Sequence, residues 1–203
     1  RRHHPQERLL DSEAGRDRAV KLAYAFCGSF CTHARALAEL EKLALHNDVT
    51  AAFSEITAAT DTRFGSARAL ADRGELTGKK IIRSIKDAED TITRGGFDAV
   101  IVSPCTGNTL AKIASGITDS TVTMCVKACL RNRKPVIIAL ATNDGLGANL
   151  VNIALTLEKN VYFVPFGQDA PEGKPTSLIC DFTRTEETLA AACEGRQLQP
   201  ILA

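Results

Sequence analysis

The stretch Phe97-Asp98-Ala99-Val100-Ile101-Val102-Ser103 runs directly into Pro104-Cys105-Thr106-Gly107-Asn108-Thr109-Leu110-Ala111-Lys112-Ile113-Ala114. Four consecutive apolar side chains, Ala99 to Val102, leave no alternation between core and solvent. The segment 97–103 therefore reads as a strand covered on both faces. A small polar turn, Pro104 to Gly107, then feeds a helix from Asn108 that is interrupted near Gly116. A buried strand passing through such a turn into a helix is the repeating unit of a parallel sheet with helices packed on it.

The same alternation extends in both directions. Upstream, Ala19 to Phe26 reads as a strand, Gly28-Ser29 as a turn, and Thr32 to His46 as a helix with Leu37, Leu40 and Leu43 on one face. Asp48 to Phe53 reads as the second strand. Residues 54–78 are less regular, with the polar loop Thr60-Asp61-Thr62-Arg63-Phe64-Gly65 and a short helix over Ser66 to Arg73. Lys80 to Arg83 is expected as a short strand, after which Ser84 caps a helix with Asp87 at the third position. Downstream come a helix from Ser120 to Asn132, a strand from Val136 to Ala141, a helix from Asn149 to Glu158 and a last strand from Val161 to Pro165. The tail carries Pro171, Pro175 and a final helix over Thr185 to Cys193. The pattern implies a single three-layer α/β/α domain over residues 19–203 with a mostly parallel sheet. Residues 1–18, charge-dense and without apolar periodicity, are expected to be a disordered arm or a cloning remnant.

Composition narrows the function classes. The 203 residues are 44% hydrophobic, and 25 Lys+Arg against 24 Asp+Glu leave a net charge of +1. That balance argues against disorder and against nucleic-acid binding driven by counterion release. The longest apolar runs fall far short of the roughly 20 residues of a membrane helix. A small-molecule or protein partner is expected. The seven cysteines form no CxxC, and Cys27, Cys105, Cys125, Cys129 and Cys180 sit within apolar runs. They read as reduced, buried thiols of a cytoplasmic protein, with the CxxxC pairs Cys27/Cys31 and Cys125/Cys129 as small core side chains rather than metal or redox pairs. His33 and His46 lie on a helix that otherwise reads as packing and are given no functional role.

In an open parallel sheet, ligands bind beyond the carboxyl ends of the strands. Three strand ends carry small polar loops: Cys27-Gly28-Ser29, Pro104 to Thr109, and Thr142-Asn143-Asp144-Gly145. Glycine permits close backbone approach, and hydroxyl and amide side chains add neutral hydrogen bonds beside exposed helix N–H groups, a combination suited to phosphate. Neither GxGxxG nor GxxxxGK[ST] occurs, which leaves a mononucleotide such as FMN. Gly28, Ser54, Pro104 and Thr142 are expected on one edge. Arg63 can pair with a carboxylate or brace Asp61 or Asp72. Lys112 can balance an anionic ligand or stay solvated. Asp144 and Asp169 can move a proton or cap a turn.

Pro104-Cys105-Thr106-Gly107-Asn108-Thr109 resembles the Pro-x-[Ser/Thr]-x-Asn-[Thr/Ser] segment of flavoproteins related to the homo-oligomeric flavin-containing cysteine decarboxylases. Thr60 to Gly65, Ala141 to Asp144, Val164 to Asp169 and the ending Leu198 to Leu202 are similar to the B subunits of dipicolinate synthases. The resemblance implies a Rossmann-like, flavodoxin-like sheet, a homo-oligomer, and a role in the oxidation of dihydrodipicolinate to dipicolinate in sporulating bacteria. The partner would be a separate A subunit that carries NADP. By the same resemblance Gly28 and Ser29 line the flavin phosphate with Ser54 nearby. Pro104, Thr106 and Asn108 face flavin or substrate, with Thr142 and Asn143 completing the cofactor site. Asn108 and Asp144 are the catalytic candidates, and Arg63 and Lys112 the candidates for a dicarboxylate substrate. Cys27 stands where relatives often carry Thr, and Phe30 where they often carry His. An FMN-dependent decarboxylase, a prenyl-flavin-type transferase and a non-catalytic scaffold for the A subunit are the alternatives.

Overall fold

The computed structural model describes residues 19–203, so the expectation for the N-terminal arm lies outside the described residues. Five strands, β1 (Lys21–Phe26), β2 (Asp48–Phe53), β3 (Ala99–Cys105), β4 (Val136–Thr142) and β5 (Val161–Phe163), run parallel, with β3 central and buried along its whole length. Two more, β6 (Phe166–Gln168) and β7 (Leu178–Cys180), form an antiparallel hairpin. The sheet order is β2-β1-β3-β4-β7-β6, and β5 also pairs with β4. Thus β5 takes the first half of the free β4 edge, while β7 pairs with Ala141 and Thr142 at its end.

The chain leaves β1 toward β2 on one side and later enters β3 on the other. Right-handed crossovers therefore send the intervening helices to opposite faces. One layer holds α1 (His33–Ala44). The opposite layer holds α4 (Ile85–Arg94), α5 (Gly107–Ser115), α6 (Thr121–Arg131) and α7 (Leu150–Leu157), with short helices α2 (Glu55–Ala59) and α3 (Ala67–Gly74) between β2 and α4. The terminal helix α8 (Thr185–Cys193) packs beside α1. The reversal between β1 and β3 is a topological switch point, where the loops after adjacent strands diverge and open a crevice.

Local chemistry explains the boundaries. Ser84 Oγ accepts from the Asp87 amide at 3.0 Å, and Ser120 and Thr123 form a reciprocal capping box. Gly116, in the left-handed region at φ 73°, ends α5. Tyr24, Phe26, Phe53 and Phe163 are fully buried at the centre of the core. The Tyr24 hydroxyl donates to the Ala36 carbonyl at 2.8 Å and lies 2.8 Å from Ser103 Oγ, which ties α1 and β3 to β1.

Several sequence expectations are corrected. The segment Lys80 to Arg83 forms only an isolated bridge from Ile82 to Ala52, because its flanking lysines and arginine leave little apolar surface to hold an edge strand. Val161–Phe163 is not the last strand. β3 continues through Pro104 and Cys105 instead of turning at Pro104, with a cis Ser103–Pro104 bond and a register shift between Val102 and Cys105. Cys31 is exposed and so is not a core partner for buried Cys27.

Candidate functional site

Because β1 to β4 are parallel, the loops after them share one edge, and Gly28, Ser54, Pro104 and Thr142 all stand there. The first loop sets its shape. Ser29 takes a left-handed conformation (φ 62°, ψ 47°) before the 3-10 turn Phe30–Thr32, the left-then-right backbone pattern in which successive N–H groups can converge on an anion as a nest. Among the described residues, no backbone acceptor engages the amides of Ser29, Phe30 or Cys31. Across the crevice, Thr106 caps α5, its Oγ1 accepting from the Thr109 amide at 3.2 Å. A Cβ on Gly28 would stand 3.1 Å from Thr106 Cγ2, so any side chain at residue 28 would crowd the Thr106 methyl where the two loops meet.

A cleft of about 280 Å³ lies above this junction. It gathers Ser29, Thr106, Thr142, Asn143 and Asp169 from the residues singled out in the sequence, together with Lys174 and Ser177, Asp169 and these two coming from the β6–β7 hairpin. Ser177 Oγ approaches the Thr142 carbonyl at 3.4 Å, and Thr176 Oγ1 donates to the Asn143 carbonyl at 2.6 Å. The hairpin is thereby fastened to the loop after β4. Asp144 is exposed beside it and accepts from the Thr142 hydroxyl at 2.5 Å. Gly107 provides the room for this arrangement, since a Cβ there would meet Thr142 Oγ1 at 2.6 Å, Asp144 Oδ1 at 2.7 Å, and Asn149 Nδ2 closer still. Asn108 is exposed in the first turn of α5.

The other expected residues are placed differently. Ser54 is buried at the end of β2, and its hydroxyl is occupied by the Thr57 amide and hydroxyl as the cap of α2. Lys112 faces Asp119, with both carboxylate oxygens 2.9 Å from Nζ. Arg63 is exposed with its guanidinium 4.8 Å from the Phe64 ring centre. Neither Arg63 nor Lys112 lines the cleft. Asp61 caps α3 through the Ala67 amide at 2.8 Å instead of pairing with Arg63. On the far side of the Phe30–Thr32 turn a second cavity of about 150 Å³ is lined by Phe30, His33, Thr62 and Phe64 among others.

Two groups have no site role on sequence grounds. His33 Nε2 lies 2.8 Å from the Cys27 carbonyl and holds the first loop. Burial pushes its pKa down, against a smaller opposing effect of that carbonyl, so the neutral ring is favoured. The Cys27 thiol is drawn down to about 7, chiefly by hydrogen bonding with the Cys105 thiol. Burial and the Pro104 carbonyl, which accepts from Sγ at 3.0 Å, work for the neutral thiol. Sequence reasoning misses Lys174 and Ser177 as well. The available signal is two short apolar segments, Phe166 to Gln168 and Leu178 to Cys180, around a turn containing Pro171, Gly173 and Pro175.

Comparison with known proteins places the chain in a family and agrees with the fold. Residues 16–193 match the Flavoprotein family. The chain is 36% identical over 185 residues to the B subunit of dipicolinate synthase from Bacillus subtilis (strain 168), covering 90% of this chain and 92% of that protein. The crystal structure of the dipicolinate synthase B subunit from Bacillus halodurans superposes with a TM-score of 0.84 at 36% identity, over 92% of this chain and 97% of that one. The FMN-dependent cysteine decarboxylase SpaF shares the fold, with a TM-score of 0.62 at 22% identity over 86% of this chain and 97% of that one. The chain belongs to the Flavoprotein family and is a homologue of the B subunit of dipicolinate synthase.

Proposed function

We propose that this chain is the FMN-binding component of a two-subunit oxidoreductase that, with a separate NADP-binding A subunit, oxidises dihydrodipicolinate to dipicolinate. The observation that carries the reading is the open backbone nest at Ser29 facing Thr106 at the switch point, in a chain similar over nine-tenths of its length to the B subunit of a dipicolinate synthase. Unpaired amides and neutral hydroxyls suit a phosphate monoester, and the positive helix end at Thr106 adds an interaction of about 0.3–1 kcal/mol. The residues present therefore fit FMN. Gly28, Ser29 and Thr106 would hold its phosphate, with Pro104, Thr142 and Asn143 along its length and Ser54 bracing the loop from behind. A bound flavin supplies two-electron redox chemistry at this edge.

This chain's own groups do the rest. Converting a dihydropyridine dicarboxylate into the aromatic product removes a hydride equivalent, taken by the flavin or nicotinamide oxidant, and one further proton. Asp144, exposed and oriented by the Thr142 hydroxyl, is the candidate proton acceptor, while the Asn108 amide orients the ring. Self-association is part of the proposal. Helix α7 turns Leu150, Val151 and Leu155 outward at 50–58% exposure, an apolar stripe suited to a second copy. A related UbiX-like FMN-dependent decarboxylase, 24% identical, is described as dodecameric.

Reconstitution tests the reading. The A subunit alone, this chain alone and the mixture are assayed for dihydrodipicolinate oxidation with NADP, with and without FMN. The mixture is expected to be active and this chain alone inactive. Full activity from the A subunit alone would overturn the redox role and leave this chain as a scaffold.

A further inference from the structure

With the strand-end amides and hydroxyls given to the flavin phosphate, a dicarboxylate beside it needs a further positive group, and the cations singled out in the sequence do not provide one. Lys112 is neutralised by Asp119 in a two-pronged contact, and Arg63 stacks on Phe64 outside the cleft. Among the described residues lining the cleft, Lys174 carries the single positive side chain.

Lys174 sits in an ordered turn. Its amide donates to the Ala170 carbonyl at 2.6 Å, and its carbonyl accepts from the Ser177 amide at 3.1 Å. Thr176 is bonded to Asn143, and the Leu146 amide donates to the Thr176 carbonyl at 2.9 Å, so the turn is riveted to the loop after β4. Leu178 fills the space that a Cβ on Gly145 would need, with contacts at 2.6 Å. The hairpin thus holds residue 174 over the strand-end edge. The ammonium forms an ion pair with Asp169, which also lines the cleft, but at 3.7 Å the pair is longer than a hydrogen bond and leaves the three N–H donors unengaged by it. At 56% side-chain exposure, it retains the freedom to swing into the cleft.

We infer that Lys174 is the specificity residue for a dicarboxylate ligand, its ammonium pairing with one of the two carboxylates, while Asp169 holds the ammonium in position when the cleft is empty. The inference rests on the dicarboxylate reading above. It adds that recognition of the second carboxylate comes from the β6–β7 hairpin and not from Arg63.

The test is calorimetric titration of the FMN-loaded full chain with pyridine-2,6-dicarboxylate and with pyridine-2-carboxylate. Wild type, Lys174→Gln, Lys174→Arg and Arg63→Ala are compared. Lys174→Gln should weaken the dicarboxylate about tenfold, equivalent to about 1.4 kcal/mol, and the monocarboxylate by less than about twofold. FMN affinity should fall by less than the dicarboxylate affinity, and Lys174→Arg should restore most of the loss; a larger loss for FMN than for the dicarboxylate would put Lys174 on the flavin phosphate and overturn the inference. If wild type binds the dicarboxylate and Lys174→Gln binds it equally well, or if the loss appears with Arg63→Ala instead, the assignment of Lys174 is wrong while the substrate class stands. If wild type binds no dicarboxylate, the substrate reading itself fails and this inference with it.

Discussion

Gly107→Val is expected to remove FMN binding and lower stability together, the largest effect at the site from a single change. The added Cβ enters space occupied by Thr142 Oγ1, Asp144 Oδ1 and Asn149 Nδ2. Asn149 is buried at the start of α7 and accepts from Asn152 Nδ2 at 2.9 Å, so it cannot swing into solvent. The displaced groups must move toward the cleft, where Thr142 and Asn143 already meet the hairpin. Overpacking of this kind costs about 1–3 kcal/mol. For a chain of this length that lowers the thermal midpoint by about 2–12 °C. Thermal unfolding and FMN titration of the variant check both effects. Wild-type values for each would show that Gly107 is not the spacer between α5 and the loop after β4.

Phe26→Ala is expected to be more destabilising still. The side chain is fully buried at the end of β1, with ring centres 5.2 Å from Tyr24, 5.5 Å from Phe53 and 5.8 Å from His33. Removing it leaves a cavity between α1 and the sheet directly beneath Cys27 and Gly28, at a cost of about 3–5 kcal/mol. That is a large part of the roughly 5–15 kcal/mol that holds a domain folded. Phe64→Ala, at a 54% exposed ring, should change stability by no more than about 0.5 kcal/mol. Denaturant unfolding of the two variants gives the comparison. A loss below about 1 kcal/mol for Phe26→Ala would mean that the aromatic cluster does not support the first loop.

The parts of this fold that are legible in the sequence are those where burial on both faces suppresses alternation. The apolar centres of β3 and β4 can be read because each is a continuous apolar run. The reading fails where structure depends on partners remote in sequence. Three-residue strands such as Phe166–Gln168 and Leu178–Cys180 have no periodicity of their own and exist through pairing with each other and with Ala141 and Thr142. The five-residue helix α2 is likewise too short to show a face, and only its Ser54 cap marks it.

The candidate site divides along the same line. Ser29, Thr106, Thr142 and Asn143 can be placed together because strand ends in a parallel sheet share an edge. The positions of Lys112 and Arg63 cannot, since an exposed cation's partner is decided by side-chain geometry. Asp119, seven residues along the chain, captures one, and the neighbouring Phe64 ring the other. Lys174 reaches the cleft through a hairpin whose strands are too short to announce themselves in the sequence.

The central claim is that the Ser29 nest and Thr106 at the switch point hold the phosphate of FMN. It is tested most directly by titrating the full chain with FMN and with riboflavin, which lacks the phosphate, followed by competition with inorganic phosphate. The account predicts saturable FMN binding at one per chain, riboflavin weaker by at least about tenfold, as expected for losing charge-assisted hydrogen bonds, and displacement of FMN by phosphate. Equal affinity for the two flavins, or binding of neither, would contradict it.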